Sequence, residues 1–415
     1  MLMVLVCTGL PPNAPTASVV TRHRMVLESP GGELPVTLEV HHGDQRAAAW
    51  IINGRERVDV NLKIAEYDAK HINLRFDHYD AAVETKWDET AGAFVGHWKK
   101  RTGADTWAQL PCRIEPASQR PPRFEPVVNP SKLGGKTVAG KWRVKFEKSD
   151  DPAVGVFDQE ADGAVNGTFL TTTGDYRFLA GDFDEKRLRL SSFDGAHAFL
   201  FVATLDDSAQ LSGDFWSRDV WHETWSAKRD DTAALPDALS QTKSADRIDL
   251  SSVQFPDVMG EMRNLADRRF AGKARIIEIF GSWCPNCHDA SRYLAELNSR
   301  YRDRGLSIVG LAFEVTGDFE RDAMQVRRYA QRCGVNYPLL IAGVNEKSEA
   351  VKAVPWLEQI RAYPTTIFVD AEGNIRAVHT GFSGPATGEA YNELRHKFES
   401  LIESMLDNVK GKDAP

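Results

Sequence analysis

The stretch "IIEIFGSWCPNCHDA", residues 276–290, decides how the C-terminal part of this chain reads. It passes from a near-continuous apolar run, "ARIIEIF" (274–280), into Cys284-Pro285-Asn286-Cys287, and then into "HDASRYLAELNSRYRDRG", where Ala290, Leu294, Leu297 and Tyr301 recur every three or four residues. The apolar run is expected for a central strand covered on both faces, and the recurrence for a helix. Both cysteines therefore fall at a strand-to-helix join, with Gly305 closing the helix.

That position has a chemical consequence. Unpaired N–H groups and the helix dipole at a helix N-terminus favour an anion, and a thiolate is the species that attacks a disulfide. Cys284 is the expected nucleophile. Cys287, one turn further in, is placed to resolve a mixed disulfide. Pro285 suits the first helical turn, where a missing N–H costs nothing. Trp283 is expected to shield one side of the sulfur and offer an apolar docking face. Glu278, six residues before Cys284 in the strand, is expected near the resolving thiol as a buried carboxylate that accepts and returns its proton. Tyr363-Pro364, ahead of "TTIFVD", is a candidate cis peptide that would leave a backbone edge free for an extended substrate.

Three other readings compete. A Cys-x-x-Cys pair is also half of many zinc sites, but no second cysteine pair and no close histidine pair follows. Cys-x-x-Cys-His, completed by His288, is the haem c attachment pattern, which here sits in a strand–helix context. A structural pair without redox turnover is the third. Cys112 and Cys333 read as buried small hydrophobes.

From residue 247 onward strands and helices alternate. "LSIVGLAFEV" and "YPLLIAG" read as strands, and "DFERDAMQVRRYAQRCG" as a helix capped by Asp318 and ended by Gly334. "SEAVKAVPWLEQI" reads as short and helical, "TTIFVDAEGNIRAVHTGF" as a hairpin, and "TGEAYNELRHKFESLIESMLDN" as a terminal helix. This is an α/β domain with a mixed sheet.

Residues 247–410 resemble the thioredoxin superfamily, through "WCPNC", then "YPTTIFVDAEGNI", then "HTGF". Within it they are similar to TlpA/ResA-like thiol-disulfide oxidoreductases of bacterial envelopes, including "FPDVMGEMRNLADRRFAGKARIIEIFGSWCPNC" and the inserted "FERDAMQVRRYAQRCGVNYPLLIAG". The resemblance implies Cys284 as nucleophile, Cys287 as resolving thiol, Pro364 as the cis proline, and a redox disulfide between the two cysteines. It implies no cofactor, a protein or peptide disulfide as substrate, and a membrane-bound electron donor. The alternatives are a thioredoxin-fold binding or metal-handling protein, whose relatives use a cysteine spacing one residue longer, and a thiol peroxidase, whose Pro-Thr-Cys loop pattern does not occur here.

The rest of the chain reads differently. From Met25 to Arg229 short runs such as "LPVTLEV", "RVDVNLKI" and "HAFLFVATL" alternate in polarity between Gly, Asp and Asn turns, which indicates antiparallel strands. This half contains itself twice: Tyr79-Asp80 matches Phe193-Asp194, Trp98 matches Trp216, and Asn53-Gly54 matches Thr173-Gly174. Two similar β units are expected, as a sandwich or one barrel-like body. Trp98, Trp142, Trp216, Trp221 and Trp225 are read as core and sheet packing. The expected segments are a leader (1–23), β unit 1 (24–115), a proline-rich linker (116–135), β unit 2 (136–230), a linker (231–246) and the thioredoxin-like domain (247–412).

Composition bounds the rest. A chain of 415 residues with 42% apolar and 27% charged residues makes a multidomain globular protein. A net charge of -8 without a basic block argues against nucleic-acid binding. No apolar run reaches a membrane-spanning length. "MLMVLVCTGLPP" is expected to be the remnant of an export signal, with Cys7 where a lipidated cysteine could sit, so the chain is expected in the periplasm or cell envelope. A chain complete at Met1 would instead be cytoplasmic.

Overall fold

The computed structural model describes residues 19–42, 47–60, 67–117, 121–129, 135–268 and 274–410. Cys7 and most of the leader lie outside them. The first sheet contains β1 (Val19–Ser29), β2 (Gly32–His42), β3 (Ala47–Asn53), β4 (Glu56–Val60), β5 (His71–Phe76), β6 (Ala81–Asp88), β7 (Ala93–Arg101) and β8 (Trp107–Ala117). Their order is β4-β3-β2-β1-β8-β7-β6-β5, all antiparallel, and the sheet is open between β4 and β5.

The second sheet contains β9 (Gly140–Phe146), β10 (Ala153–Gln159), β11 (Ala164–Thr171), β12 (Gly174–Asp175), β13 (Leu179–Phe183), β14 (Arg187–Phe193), β15 (Ala198–Leu205), β16 (Gln210–Ser217) and β17 (Trp221–Arg229). Here β9 pairs with both β10 and β17, and β10 with β11, so eight strands close into a barrel with β12 as an appendage. Its interior is filled by aromatic rings, among them Phe201 stacked on Phe215 at 4.2 Å and Phe169 edge-on to Trp225 at 5.1 Å. A barrel of this size packs solid.

The open sheet is completed by the barrel. The β14–β15 hairpin inserts Phe193, Ala196, Ala198 and Leu200 into the first sheet's core. Phe193 meets Phe76 and Trp98 edge-on, each at 5.7 Å, and Trp98 Nε1 donates to the Gly195 carbonyl at 3.0 Å. Each such ring contact contributes about 0.5–1.5 kcal/mol beyond area burial. The architecture is therefore a closed barrel plugging a half-barrel.

Two segment boundaries shift, and both linkers are docked. Strand β1 begins at Val19, so residues 19–23 belong to a sheet and not to a leader. Strand β8 runs through Pro116, expected as linker. Pro116 is paired to β1 alone, past the end of the β7 ladder, where its missing N–H is tolerated. The linker beyond it is anchored: Phe124 is buried in the first core, and Arg123 donates to Asn53 Oδ1 at 2.6 Å and the Ser191 carbonyl at 2.8 Å. Residues 231–246 are also docked, through Thr242 to Thr380 at 2.7 Å and the Ala245 N–H to the Trp356 carbonyl at 2.8 Å.

The C-terminal part opens with a small hairpin, β18 (Gln254–Pro256) and β19 (Met262–Asn264). Then follow β20 (Ala274–Phe280), α1 (Pro285–Tyr301), β21 (Leu306–Glu314), α2 (Phe319–Cys333), β22 (Leu339–Val344), α3 (Lys347–Ala353), β23 (Thr365–Val369), β24 (Ile375–Thr380) and α4 (Glu389–Lys410). The sheet order is β22-β21-β20-β23-β24, with β20, β21 and β22 parallel and β23 and β24 antiparallel. Every residue of β20 is buried, as a central strand with helices on both faces requires. Asp318 accepts from the Arg321 N–H at 2.9 Å to cap α2, and Gly334, at φ 65°, ends it. No helix among the described residues is long and apolar enough to cross a membrane.

Candidate active site at the strand–helix junction

Cys284 is the N-cap of α1, with extended φ and ψ, and its Sγ accepts from the Cys287 N–H at 3.3 Å. The same Sγ donates to the Tyr363 carbonyl at 3.3 Å, and Tyr363-Pro364 is a cis peptide. Both cysteines are thiols. Cys284 is 7% exposed and Cys287 fully buried. Burial pushes the Cys287 thiol well above its ordinary pKa, and the hydrogen bond and charge of Cys284 push it further.

Glu278 lies behind Cys287, fully buried in β20. Ser291 Oγ donates to it at 2.8 and 2.9 Å and Tyr337 Oη at 2.9 Å. Burial outweighs these bonds and raises its carboxyl pKa to about 7. A second buried carboxylate, Glu314 at the end of β21, was not indicated by any sequence pattern. It accepts from the Ser282 N–H at 2.8 Å and Oγ at 2.6 Å, fixing the turn before Cys284, and burial raises it to about 7.

Trp283 is half-buried rather than an open face. Its Nε1 donates to the Phe313 carbonyl at 2.9 Å and its ring meets Tyr363 edge-on at 5.3 Å. His288 is likewise engaged: Nε2 donates to the Ser282 carbonyl at 2.9 Å, leaving Nδ1 to accept from Cys333 at 3.3 Å. Burial holds it neutral, with a pKa well below the usual histidine range.

The β half covers this junction. Lys100 of β7 donates to the Trp283 carbonyl at 3.0 Å. Arg177, after β12, donates to the Pro285 carbonyl at 3.3 Å and to Asp289 of α1, and pairs with Glu56 at 2.6 Å and Asp194 at 3.2 Å. Asn286 Nδ2 donates to the Asp175 carbonyl at 3.0 Å. A Cβ on Gly174 would stand 2.5 Å from that Nδ2, so the close approach of β12 to α1 requires glycine there. Asp80 pairs with Arg321 and the Asp77 carbonyl accepts from Gln325 Nε2 at 2.9 Å, tying α2 to the first sheet. Trp98, Trp142 and Trp225 are core residues, whereas Trp221 is 43% exposed beside the cysteines.

A cleft of about 420 Å³ remains open to Cys284, between α1, Tyr363 and the β16–β17 turn. Lys100, Arg177, Asp175 and Trp221 carry no local sequence signal for this role. They lie between 63 and 184 residues away and reach the site only through the fold.

The family model described as Redoxin matches residues 243–394, C-terminal to both β sheets. Thiol-disulfide oxidoreductase ResA of Halalkalibacterium halodurans is 28% identical over 139 residues, 33% of this chain and 70% of that protein. ResA of Geobacillus kaustophilus is 26% identical over 125 residues, 30% and 63% of the two chains. Thioredoxin-like protein YneN of Bacillus subtilis is 27% identical over 151 residues, 34% and 79%. Among solved structures, a thioredoxin-family thiol:disulfide interchange protein from Chlorobium tepidum is 22% identical, covering 40% of this chain and 98% of that one, with a TM-score of 0.29. Residues 243–394 thus match the Redoxin family model and are similar to proteins named thiol-disulfide oxidoreductase.

Proposed function

We propose that the protein reduces protein or peptide disulfides in the bacterial cell envelope through the Cys284–Cys287 dithiol. The observation that carries this reading is Cys284 at the cap of α1, its sulfur bonded to the Cys287 N–H one turn on. In the first step the Cys284 thiolate attacks one substrate sulfur, the substrate S–S bond breaks, and one thiolate leaves. In the second, Cys287 loses its proton and attacks Cys284 Sγ, releasing the other substrate thiolate and forming the Cys284–Cys287 disulfide. Two electrons pass to the substrate, and an external dithiol donor of the envelope must restore the enzyme.

Glu278 is the proton acceptor for Cys287 in this scheme. It is the buried carboxylate whose charge acts on that thiol, and a group with a pKa of about 7 can take and return a proton near neutral pH. Tyr363 and Pro364 present backbone beside Cys284, and the Trp283 ring packs edge-on against Tyr363. The envelope assignment is supported by the resemblance to TlpA/ResA-like proteins.

Turnover of a protein disulfide with dithiothreitol as donor tests the reading. Cys284→Ser is expected to abolish it, and full activity in that variant refutes it. The reduction potential then sets direction: a value near about -270 mV fits a reductase, and one near about -120 mV an oxidase.

A further inference from the structure

The β half leaves little of the usual docking face around the cysteines free. Trp283, Pro285 and Asn286 are each held by a residue of that half, and Cys284 is nearly buried. A folded protein surface cannot lie flat against it. What reaches the sulfur is the cleft, whose volume accommodates a few residues of chain.

The cleft has a distinctive wall. The turn between β16 and β17 places Arg218, Val220 and Trp221 along it, facing Cys284 and Tyr363. Val220 is 68% exposed, an apolar tip with nothing packed over it. Arg218 is held at φ 57°, a strained conformation for a residue with a side chain. Its N–H is tied to the Ala198 carbonyl at 2.8 Å, so the turn is fixed. Arg218 is half-buried, and among the described residues no carboxylate forms an ion pair with its guanidinium; its neighbour Asp219 acts on its charge. Holding a half-buried cation without an ion pair is costly, and a carboxylate from a substrate would offset that cost.

The other charges around the cleft are already engaged. Asp175 accepts from the Arg177 N–H and the Gly384 N–H, each at 2.6 Å. His197 pairs with Asp194 at 3.2 Å. Lys100, whose ammonium acts electrostatically on both Arg218 and Cys284, is bonded to the Trp283 carbonyl. Although the chain carries a net charge of -8, among the described residues that line the cleft the open cation is Arg218.

We propose that this cleft is the substrate site and takes an extended, cysteine-bearing segment with a carboxylate next to its cysteine, which Arg218 binds while Phe199, Phe215 and Trp221 contact the apolar parts of the segment. The inference rests on the thiol-disulfide reading above and adds the substrate class. The chemistry is that already given: the segment's S–S bond is exchanged onto Cys284, then released by Cys287.

The test uses the full chain, pre-reduced, and disulfide-linked dimers of acetyl-Glu-Cys-Glu-amide, acetyl-Gln-Cys-Gln-amide and acetyl-Lys-Cys-Lys-amide. Each rate is divided by that of the same peptide with dithiothreitol, which removes differences in leaving-group reactivity. The acidic peptide is expected to react about tenfold faster than the neutral one, and the basic one slowest. Arg218→Gln is expected to bring the acidic and neutral rates within about twofold, and Arg218→Lys to keep most of the preference. Equal rates for acidic and neutral peptides in the unaltered protein, or an undiminished preference in Arg218→Gln, would overturn the inference. If none of the peptides oxidises the Cys284–Cys287 pair, the thiol-disulfide reading itself fails.

Discussion

Lys100 Nζ donates to the carbonyl of Trp283, the residue before Cys284, at 3.0 Å across 183 residues of sequence. The bond joins the half-barrel to the loop that precedes Cys284. Burial lowers the Lys100 pKa to about 8, and its ammonium attracts charge on Cys284. Lys100→Met is expected to slow attack on a neutral disulfide at pH 7 by about three- to tenfold, through loss of that nearby cation. Lys100→Arg should restore most of the rate. Stopped-flow oxidation of the pre-reduced protein measures both, and an unchanged rate in Lys100→Met would remove Lys100 from the account.

Arg177 is the hub between the three bodies. Glu56 of the half-barrel, Asp194 of the barrel and Asp289 of α1 converge on one buried guanidinium. Arg177→Met leaves Glu56 without its cation and Asp194 and Asp289 with only His197 and Arg292, and a loss of about 3–5 kcal/mol is expected. Urea unfolding followed by tryptophan fluorescence reports it. A loss under about 1 kcal/mol would mean that water already satisfies the cluster.

Glu278→Gln separates the two chemical steps. Formation of the mixed disulfide should be unaffected, while the resolving step slows by about a hundredfold, as expected for a lost proton acceptor. Rapid quench with acid and mass analysis resolves the steps. Equal slowing of both would assign Glu278 a purely structural role.

The same residue makes a stability prediction. Its carboxyl pKa is raised from 4.5 to about 7 in the folded protein, so folding favours the protonated form. The stability this group contributes is complete below about pH 4.5 and is lost as pH rises through about 7. Glu278→Gln cannot titrate. Relative to the unaltered protein it should gain on the order of 3 kcal/mol between pH 4.5 and pH 8. A pH-independent difference between the two proteins would contradict the raised pKa.

Alkylation of the native reduced protein should label Cys284 before the other cysteines of the described residues. Cys112 and Cys287 are more deeply buried, and burial pushes both thiols well up; Cys333 is pushed to about 12. Peptide mapping after a short iodoacetamide pulse reads the order.

The strand–helix join that carries Cys284 and Cys287 was legible because its signals are local. Cys284, Pro285 and Cys287 follow a buried strand directly, Glu278 sits on that strand, and Tyr363-Pro364 immediately precedes β23, whose apolar run identifies it. The internal match of Tyr79-Asp80 with Phe193-Asp194 marks the ends of β5 and β14, each followed by a strand antiparallel to it. What the sequence did not carry is the relation between the halves. Arg177, Asp175, Lys100 and Arg218 are ordinary charged residues in generic β-sequence, and nothing periodic distinguishes them. Their roles arise because the barrel's β14–β15 hairpin plugs the half-barrel, and because β12 and the β16–β17 turn then meet the N-terminus of α1. The same long-range packing makes the segments around Phe124 and Thr242 docked structure where proline and polar composition indicated free linkers.

The central claim is that Cys284 attacks and Cys287 resolves. Pre-reduced Cys287→Ser, mixed with a disulfide-linked peptide and digested, tests it most directly by mass spectrometry. The account predicts a stable, stoichiometric peptide adduct on Cys284, absent from Cys284→Ser and released by dithiothreitol. No adduct, or an adduct on any other cysteine, would contradict it.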